Sequence, residues 1–202
     1  MFVDNSPLTI LKKRYKFIIF SGLLIGTVAL LVSLLFPLEY RADAQALIIS
    51  KSRYGVDPYT VVKSAERVGE NLVQVIGTSD FYNKVMLQAG YNIDRTKFDK
   101  LSERERRKLW QKTVKSSVVY GTGVVNVSAY DSNVNQAKQL AGATVDALAA
   151  KGWEYVGGDV TIKVVNQPVV TRFPVRPNII LNFAMGFVVG MVLGSLLVIK
   201  KK

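Results

Sequence analysis

The sequence contains no cysteine and no histidine among its 202 residues. Without cysteine there is no disulfide framework, and without histidine the chain lacks the commonest general base and metal ligand. The carboxylates are scattered, and no pair has a spacing typical of general acid–base catalysis. The motif G-x-x-x-x-G-K-[ST] is also absent, so we expect no fused nucleotide-binding kinase domain. The sequence therefore predicts a protein that is not an enzyme and that binds no cofactor and no metal.

Charge is missing from two long stretches, residues 17–36 and residues 179–199. About 20 apolar residues, at a rise of about 1.5 Å each, cross the hydrocarbon core of a bilayer. We therefore predict transmembrane helices at residues 17–37 and 178–199. A cleaved signal peptide is the alternative for the first run, but the run is longer than an ordinary signal core and no small-x-small cleavage site follows Phe36.

Small residues recur every four positions inside both predicted spans, which places them on one face of each helix. They are Gly22 and Gly26 in the first span, and Asn182, Gly186, Gly190 and Gly194 in the second. Small residues let a second helix approach closely, and an amide can hydrogen-bond across such a contact. We predict a helix-packing face, either within one chain or between subunits. The alternative is that glycine is simply frequent in membrane helices.

Basic residues lie next to both spans on the sides nearest the chain termini. They are Lys12, Lys13, Arg14 and Lys16 before the first span, and Lys200, Lys201 and Lys202 after the second. By the positive-inside rule, the lead at residues 1–16 and the tail at residues 200–202 lie in the cytoplasm. The segment between the spans then lies outside it. This topology accounts for much of the net charge of +12, so the charge does not call for a nucleic-acid partner.

Residues 38–167 carry mixed helix and strand signals, and we predict an extracytoplasmic α+β domain there. The expected elements are a strand from Tyr40, helices that begin at Asp57-Pro58 and at Thr78 or Ser79, a polar connection at residues 91–100, a helix with a Ser102–Glu105 capping box, a hairpin at residues 114–130, a helix capped within residues 131–133, and a strand at residues 161–165. The small sheet would have four strands. Its first and last strands would lie near each other, since both lead to a span.

Three prolines, Pro168, Pro174 and Pro177, stand between the predicted domain and the second span. Such a density of proline favours a stiff extended connection over a helix or a sheet. We therefore predict a linker at residues 168–177. It acts either as a rigid spacer or as an element that couples the domain to the span.

One predicted helix is rich in cations, which are Arg104, Arg106, Arg107, Lys108 and Lys112. Because guanidinium groups fit phosphate oxygens, these residues are candidate contacts for a glycan, an acidic polymer or a lipid phosphate. The alternative is a solvated face with internal pairs such as Glu103 to Arg107. Six aromatic residues could stack on sugar rings, but we expect them to be core or subunit contacts, with Trp153 and Tyr155 the best candidates to face outwards. The six are Tyr54, Tyr59, Tyr120, Tyr130, Trp153 and Tyr155.

The order of these features resembles the Wzz-type polysaccharide co-polymerases, the chain-length determinant family. The likeness is carried by residues 40–44 after the first span, by residues 121–128 with Asp131 and residues 136–138, and above all by the proline-spaced residues 166–177 before the second span. The chain departs from the family in three ways. It has no G-x-x-x-x-G-K-[ST] loop of a fused kinase domain. Its central segment is shorter than in members with a long helical stalk, and its tail is shorter than in members that activate a separate kinase.

The resemblance implies a non-enzymatic subunit of the bacterial inner membrane that forms homo-oligomers. Such a subunit regulates the chain length of a lipid-linked surface polysaccharide, which is an O-antigen, a capsule or an exopolysaccharide. The implied partners are the polysaccharide polymerase and the lipid-linked glycan. One alternative is an adaptor that activates a separate cytoplasmic tyrosine kinase in polysaccharide export. Another is a membrane-anchored glycan-binding protein.

Overall fold

The computed structural model describes residues 11–50, 57–157 and 160–200, which belong to two units. The helical unit comprises Met1–Leu38 and Val175–Lys202, and the sheet unit comprises Glu39–Pro174. In chain order, the described elements are α1 (Tyr15–Leu34), β1 (Tyr40–Ser50), α2 (Pro58–Ile76), α3 (Ser79–Met86), α4 (Thr96–Asp99), α5 (Glu103–Thr113), β2 (Val114–Val118), β3 (Val124–Asp131), α6 (Val134–Lys151), α7 (Trp153–Val156), β4 (Val160–Val170) and α8 (Ile179–Lys200).

The helical unit consists of α1 and α8 packed against each other. The two helices have 20 and 22 residues, and both are long and apolar enough to cross a membrane. Residues 11–13 are also helical, but Arg14 forms a turn before α1 begins. Residues 1–10 of the predicted lead and residues 201–202 of the predicted tail lie outside the described residues.

The sheet unit is built on a four-stranded antiparallel sheet with the strand order β2-β3-β1-β4. This confirms the prediction of an α+β fold with a small four-stranded sheet. It also confirms that the first and last strands are neighbours, because β1 pairs with β4. On β1, alternate residues are buried against the helices, namely Ala42, Ala44, Ala46 and Ile48. The residues between them point to the opposite face, as the period-two pattern requires.

The main contact between helix and sheet is made by small residues. Ala137, Ala141 and Val145 of α6 are fully buried in the same core as the alanines of β1. Since neither side carries bulky groups at these positions, the helix lies close to the sheet, and many weak dispersion contacts are gained over a short distance. The larger core side chains, such as Leu72, come from α2 and its neighbours.

An aromatic cluster fills the core beside α3. The rings of Tyr82, Phe98 and Trp110 have centroids 5.3–6.4 Å apart, and Trp110 Nε1 donates a hydrogen bond of 2.7 Å to the Ile76 carbonyl oxygen. Phe98 comes from α4, a single helical turn inside the stretch that was predicted to be only a polar connection. That prediction is therefore wrong at residues 96–99, because one buried side chain organises an otherwise polar segment.

The predicted helix starts are confirmed by their caps. Asp57 accepts from the Thr60 N–H, Thr78 accepts from the Phe81 N–H, and Asn133 caps α6 through its side-chain oxygen. At the start of α5, the Ser102 N–H donates to the Glu105 carboxylate at 3.2 Å, which is the reciprocal bond of a capping box.

The last strand is longer than predicted, because β4 extends to Val170 and includes Pro168. The predicted linker at residues 168–177 is therefore wrong at its start. Proline is tolerated here because β4 lies at the edge of the sheet and pairs with β1 on one side only, next to register shifts around Gln45. Pro174 and Pro177 lie outside the helices and strands, and the Arg176–Pro177 peptide bond is cis.

A buried carboxylate ties the β2–β3 turn to α2. The Glu66 side chain is almost fully buried and accepts hydrogen bonds from the Gly121 N–H at 3.0 Å and from Lys63 Nζ at 2.7 Å. The bond from Lys63 and the bond from Gly121 lower the pKa of Glu66 below its ordinary value. The turn is thus held by a carboxylate that must stay ionised.

Replacing Phe98 by alanine tests the buried role of α4. We expect Phe98→Ala to lower the free energy of unfolding by about 3–5 kcal/mol, the usual cost of emptying a buried aromatic site. Leu87→Ala is the matched control, since Leu87 is 78% exposed and its loss should change stability by only about 0.5 kcal/mol. Urea unfolding of the detergent-solubilised protein, followed by tryptophan fluorescence, measures both. Equal costs for the two variants would contradict this assignment.

The lowered pKa of Glu66 predicts a specific dependence of stability on pH. Because the folded pKa lies below the unfolded one, the ionised carboxylate adds stability above about pH 4.3, and this contribution is lost as the pH falls through the folded pKa. We expect Glu66→Gln to lose less stability than the native chain between pH 7 and pH 3. Glu70→Gln, on the exposed side of the same helix, should behave like the native chain. If the native chain and Glu66→Gln lose the same free energy of unfolding between pH 7 and pH 3, this role of Glu66 is refuted.

Candidate functional site

The contact between α1 and α8 contains all six of the small or polar residues predicted for helix packing. They are Gly22, Gly26, Asn182, Gly186, Gly190 and Gly194. A Cβ atom added to Gly190 would lie 2.6 Å from the Ser21 carbonyl oxygen and 2.8 Å from Gly22 Cα. One added to Gly186 would lie 2.7 Å from Ala29 Cβ. The two backbones therefore approach so closely that only glycine fits, and the contact is made within one chain.

Two polar bonds cross the same contact. Asn182 Nδ2 donates to Ser33 Oγ at 2.8 Å, and Ser21 Oγ donates to the Gly190 carbonyl oxygen. In apolar surroundings an unpaired amide or hydroxyl is costly, so these bonds also fix which faces meet. The sequence analysis missed both serines. Ser33 lies seven residues after Gly26, so the helical spacing that identified the glycines also includes it.

The outward faces of α1 and α8 are covered with large apolar side chains. The exposed ones include Phe20, Leu24, Val28, Leu31, Leu181, Val188, Val192 and Leu196. A continuous apolar surface of this length is typical of a helix pair surrounded by lipid. Ser21, Ser33 and Asn182 are turned towards the contact, whereas the hydroxyl of the exposed Thr27 donates to the Leu23 carbonyl oxygen of its own helix.

The predicted basic helix is α5, and its cations are not equivalent. Arg104, Arg107, Lys108 and Lys112 are exposed. The Arg106 guanidinium instead lies 5.5 Å from the centre of the buried Tyr82 ring and lines a cavity of about 360 Å³ together with Arg95 and Asp99. Within the described residues, no ion pair joins Glu103 to Arg107. The expected internal pairing is therefore not seen, and four cations remain on the surface.

Of the two aromatic residues expected to face outwards, only Trp153 does so. Its side chain is half exposed, and its Nε1 donates to the Ala150 carbonyl oxygen. Tyr155 is partly buried, because its hydroxyl donates to Asp80 and the Lys84 ammonium lies 4.4 Å from its ring centre. Tyr155 is therefore a weaker outward candidate than Trp153, since its ring belongs to a network of charged groups.

A row of polar side chains crosses all four strands on the sheet face opposite the core. It is formed by Ser117, Asn126, Gln45 and Asn166, which occupy paired positions on β2, β3, β1 and β4. Gln45 Nε2 donates to Asn126 Oδ1 at 2.6 Å, and the Asn166 amide donates to Gln45 Oε1. Within the described chain, these bonds leave the Asn126 amide nitrogen and the Asn166 amide oxygen at the two ends of the three linked amides. We call this surface the polar sheet face.

A second row extends the polar sheet face along β1 and β3. Ser128 Oγ donates to Asp43 Oδ1 at 2.6 Å, and Arg41 Nε donates to Asp43 Oδ2 at 2.9 Å. Both rows line an open cavity of about 790 Å³, which Val169 borders on β4. The surface thus combines amides, a hydroxyl and an ion pair whose charges cancel. It can both donate and accept hydrogen bonds without a strong net charge.

The sequence analysis did not identify the polar sheet face. The alternation of Arg41, Asp43 and Gln45 with buried alanines shows that β1 has a polar side. It does not show that Asn126 and Asn166 stand beside Gln45, because the register between strands is a long-range property. A search for amides at alternate positions of each predicted strand would have found Gln45 and Asn126 but not Asn166, because the predicted last strand ends at residue 165 and the observed one continues to Val170.

No protein-family model and no curated protein sequence matches the chain. The residues that the structure describes contain no group of three or more His, Cys, Asp or Glu side chains placed to hold a metal ion. Among the described residues, three surfaces are candidates for function: the helix-packing face of α1 and α8, the exposed cations of α5, and the polar sheet face.

A pair of introduced cysteines tests whether α1 and α8 pack within one chain. Ser21 Cβ lies 3.0 Å from the position of a Cβ on Gly194, close to the 3.5–4.5 Å typical of a disulfide. We expect Ser21→Cys with Gly194→Cys to form a disulfide inside the monomer upon oxidation. The chain has no native cysteine to compete. Non-reducing electrophoresis and mass spectrometry identify the product.

Ser21→Cys with Leu193→Cys is the control for this experiment. Leu193 is adjacent in sequence, but its side chain is 46% exposed on the outer side of α8, so no internal disulfide should form. A crosslink found only in dimers of the first variant would show that the glycine face joins different subunits instead.

Proposed function

We propose that this chain is a two-span subunit of a polysaccharide co-polymerase in the bacterial inner membrane. It forms homo-oligomers and regulates the length of a lipid-linked surface polysaccharide, together with the polymerase that extends it. The observation that carries the proposal is the pairing of β1 with β4. Ala42 stands opposite Val170, and the Thr171 N–H donates to the Arg41 carbonyl oxygen at 2.8 Å. The sheet unit thus begins and ends at one place, as a domain inserted between two paired membrane helices requires.

The distribution of cations supports a topology with both termini in the cytoplasm. Ser21 bonds to Gly190 and Ser33 bonds to Asn182, so α1 and α8 run antiparallel. The cations that precede α1 therefore stand at the same end of the pair as Lys200 at the end of α8. Under the positive-inside rule this end faces the cytoplasm.

The polar sheet face is the surface that we assign to the glycan. Sugar hydroxyls both donate and accept hydrogen bonds, and the amides of Gln45, Asn126 and Asn166 do the same. The Arg41–Asp43 pair can orient a sugar on this surface, and it attracts ions only weakly because its two charges cancel. The cations of α5 suit an acidic or phosphorylated group better than a neutral sugar. In an oligomer, each subunit would present one such face to the growing polymer.

Length control is tested by the size distribution of surface polysaccharide on a gel. We expect the modal length to collapse in a strain that lacks this protein and to return upon re-expression. Gln45→Ala with Asn126→Ala should shift the modal length at normal abundance of the protein in the membrane, because it removes the central amides of the polar sheet face. Arg104→Ala with Arg107→Ala, two exposed residues of α5, is the matched control and should leave the modal length unchanged.

Other outcomes would redirect or overturn the proposal. An unchanged length distribution in the strain that lacks the protein would remove length control as its function. A fall in total polymer or in tyrosine-kinase phosphorylation, at constant length, would instead support the kinase-adaptor hypothesis. A length shift in the α5 control alone would move the glycan contact from the polar sheet face to the basic helix.

A further inference from the structure

A groove lies at the end of the helical unit where α1 begins and α8 ends. It has a volume of about 470 Å³ and is lined by Arg14, Phe17, Leu197, Val198 and Lys200. Val198 is buried and forms the floor, whereas Phe17 and Leu197 are about half exposed and form apolar walls. The size falls within the range of small-molecule sites in proteins.

The rim of this groove carries two cations. Arg14 comes from the turn before α1, and Lys200 is the last residue of α8. Residues 11–38 and 175–200 contain no aspartate or glutamate, so no carboxylate in the described part of this unit can neutralise them. A guanidinium and an ammonium beside an apolar cleft are complementary to a ligand with an anionic head and a hydrocarbon tail.

We propose that this groove binds one anionic glycerophospholipid. The phosphate lies between Arg14 and Lys200, and an acyl chain follows Phe17 and Leu197 over Val198. A free phosphate would use the cations but not the apolar walls, and a neutral lipid would use the walls but not the cations. The groove also lies at the ends of two membrane-length helices, at the depth of lipid head groups, where basic pockets between helices bind such lipids. This inference requires only that α1 and α8 span a bilayer, and it does not rest on the polysaccharide function.

Native mass spectrometry of the full-length protein in neutral detergent tests the site. The probes are phosphatidylglycerol and phosphatidylcholine with identical acyl chains. We expect one phosphatidylglycerol per chain, bound at least tenfold more tightly than phosphatidylcholine. Arg14→Gln with Lys200→Gln should weaken the binding of phosphatidylglycerol by about tenfold or more. Lys12→Gln with Lys16→Gln removes the same charge from residues that do not line the groove, and should weaken binding less than threefold.

A third variant tests the acyl chain separately from the charges. Leu197→Trp fills the groove while keeping Arg14 and Lys200, and tryptophan is well tolerated at the membrane interface. It should also weaken phosphatidylglycerol binding at least tenfold. Equal binding of the two lipids would overturn the proposal in favour of unselective lipid contact with the apolar walls. Equal loss in both charge-removing pairs would overturn it in favour of a diffuse basic surface. Full displacement of the lipid by free glycerol phosphate would overturn it in favour of a simple anion site.

Discussion

The antiparallel pairing of β1 with β4 is the contact on which the rest of the molecule depends. These strands lie about 120 residues apart in the sequence, and their hydrogen bonds close the sheet unit around everything between them. Tyr40, at the start of β1, stands six residues after the end of α1, and Val170, at the end of β4, stands nine residues before the start of α8. One strand pair therefore gathers both connections to the apolar helices at one place. In the sheet, β1 lies between β3 and β4. The positions of the hairpin, the helices and the polar rows therefore depend on β1.

Small side chains allow close packing of the backbone in both units. On the sheet, the alanines of β1 meet the alanines of α6, and in the helical unit the glycines of α8 meet the backbone of α1. In each case the two backbones lie close together because little side-chain volume separates them. The stability of the contact then comes from many short contacts and not from a few bulky groups. In lipid this matters more, because the hydrophobic effect does not favour one apolar contact over another. The bonds of Asn182 and Ser21 then select the register of the helix pair.

Local signals predicted most of the elements, but they did not predict α4, α7, the end of β4 or the features that depend on distant segments. The caps at Asp57, Thr78 and Ser102 act within one turn of the helix, so the sequence shows them directly. The apolar spans and the hairpin are equally local. The burial of Phe98 depends on Tyr82 and Trp110, and the strand position of Pro168 depends on β4 being an edge strand. The partners of Gln45 depend on register, and the inward turn of Tyr155 depends on Asp80 and Lys84. Each of these needs knowledge of which distant segments meet.

The edge strand β4 has a consequence for how copies of this chain behave when they are crowded together. An exposed edge offers unpaired N–H and C=O groups, on which another chain can grow as an intermolecular β-sheet and aggregate. Here Pro168 removes one donor from that edge, and the register shifts around Gln45 bend the strand locally. Lys163 adds an exposed charge further along the same edge. These features disfavour strand addition along β4, which is one of the two edges of the sheet.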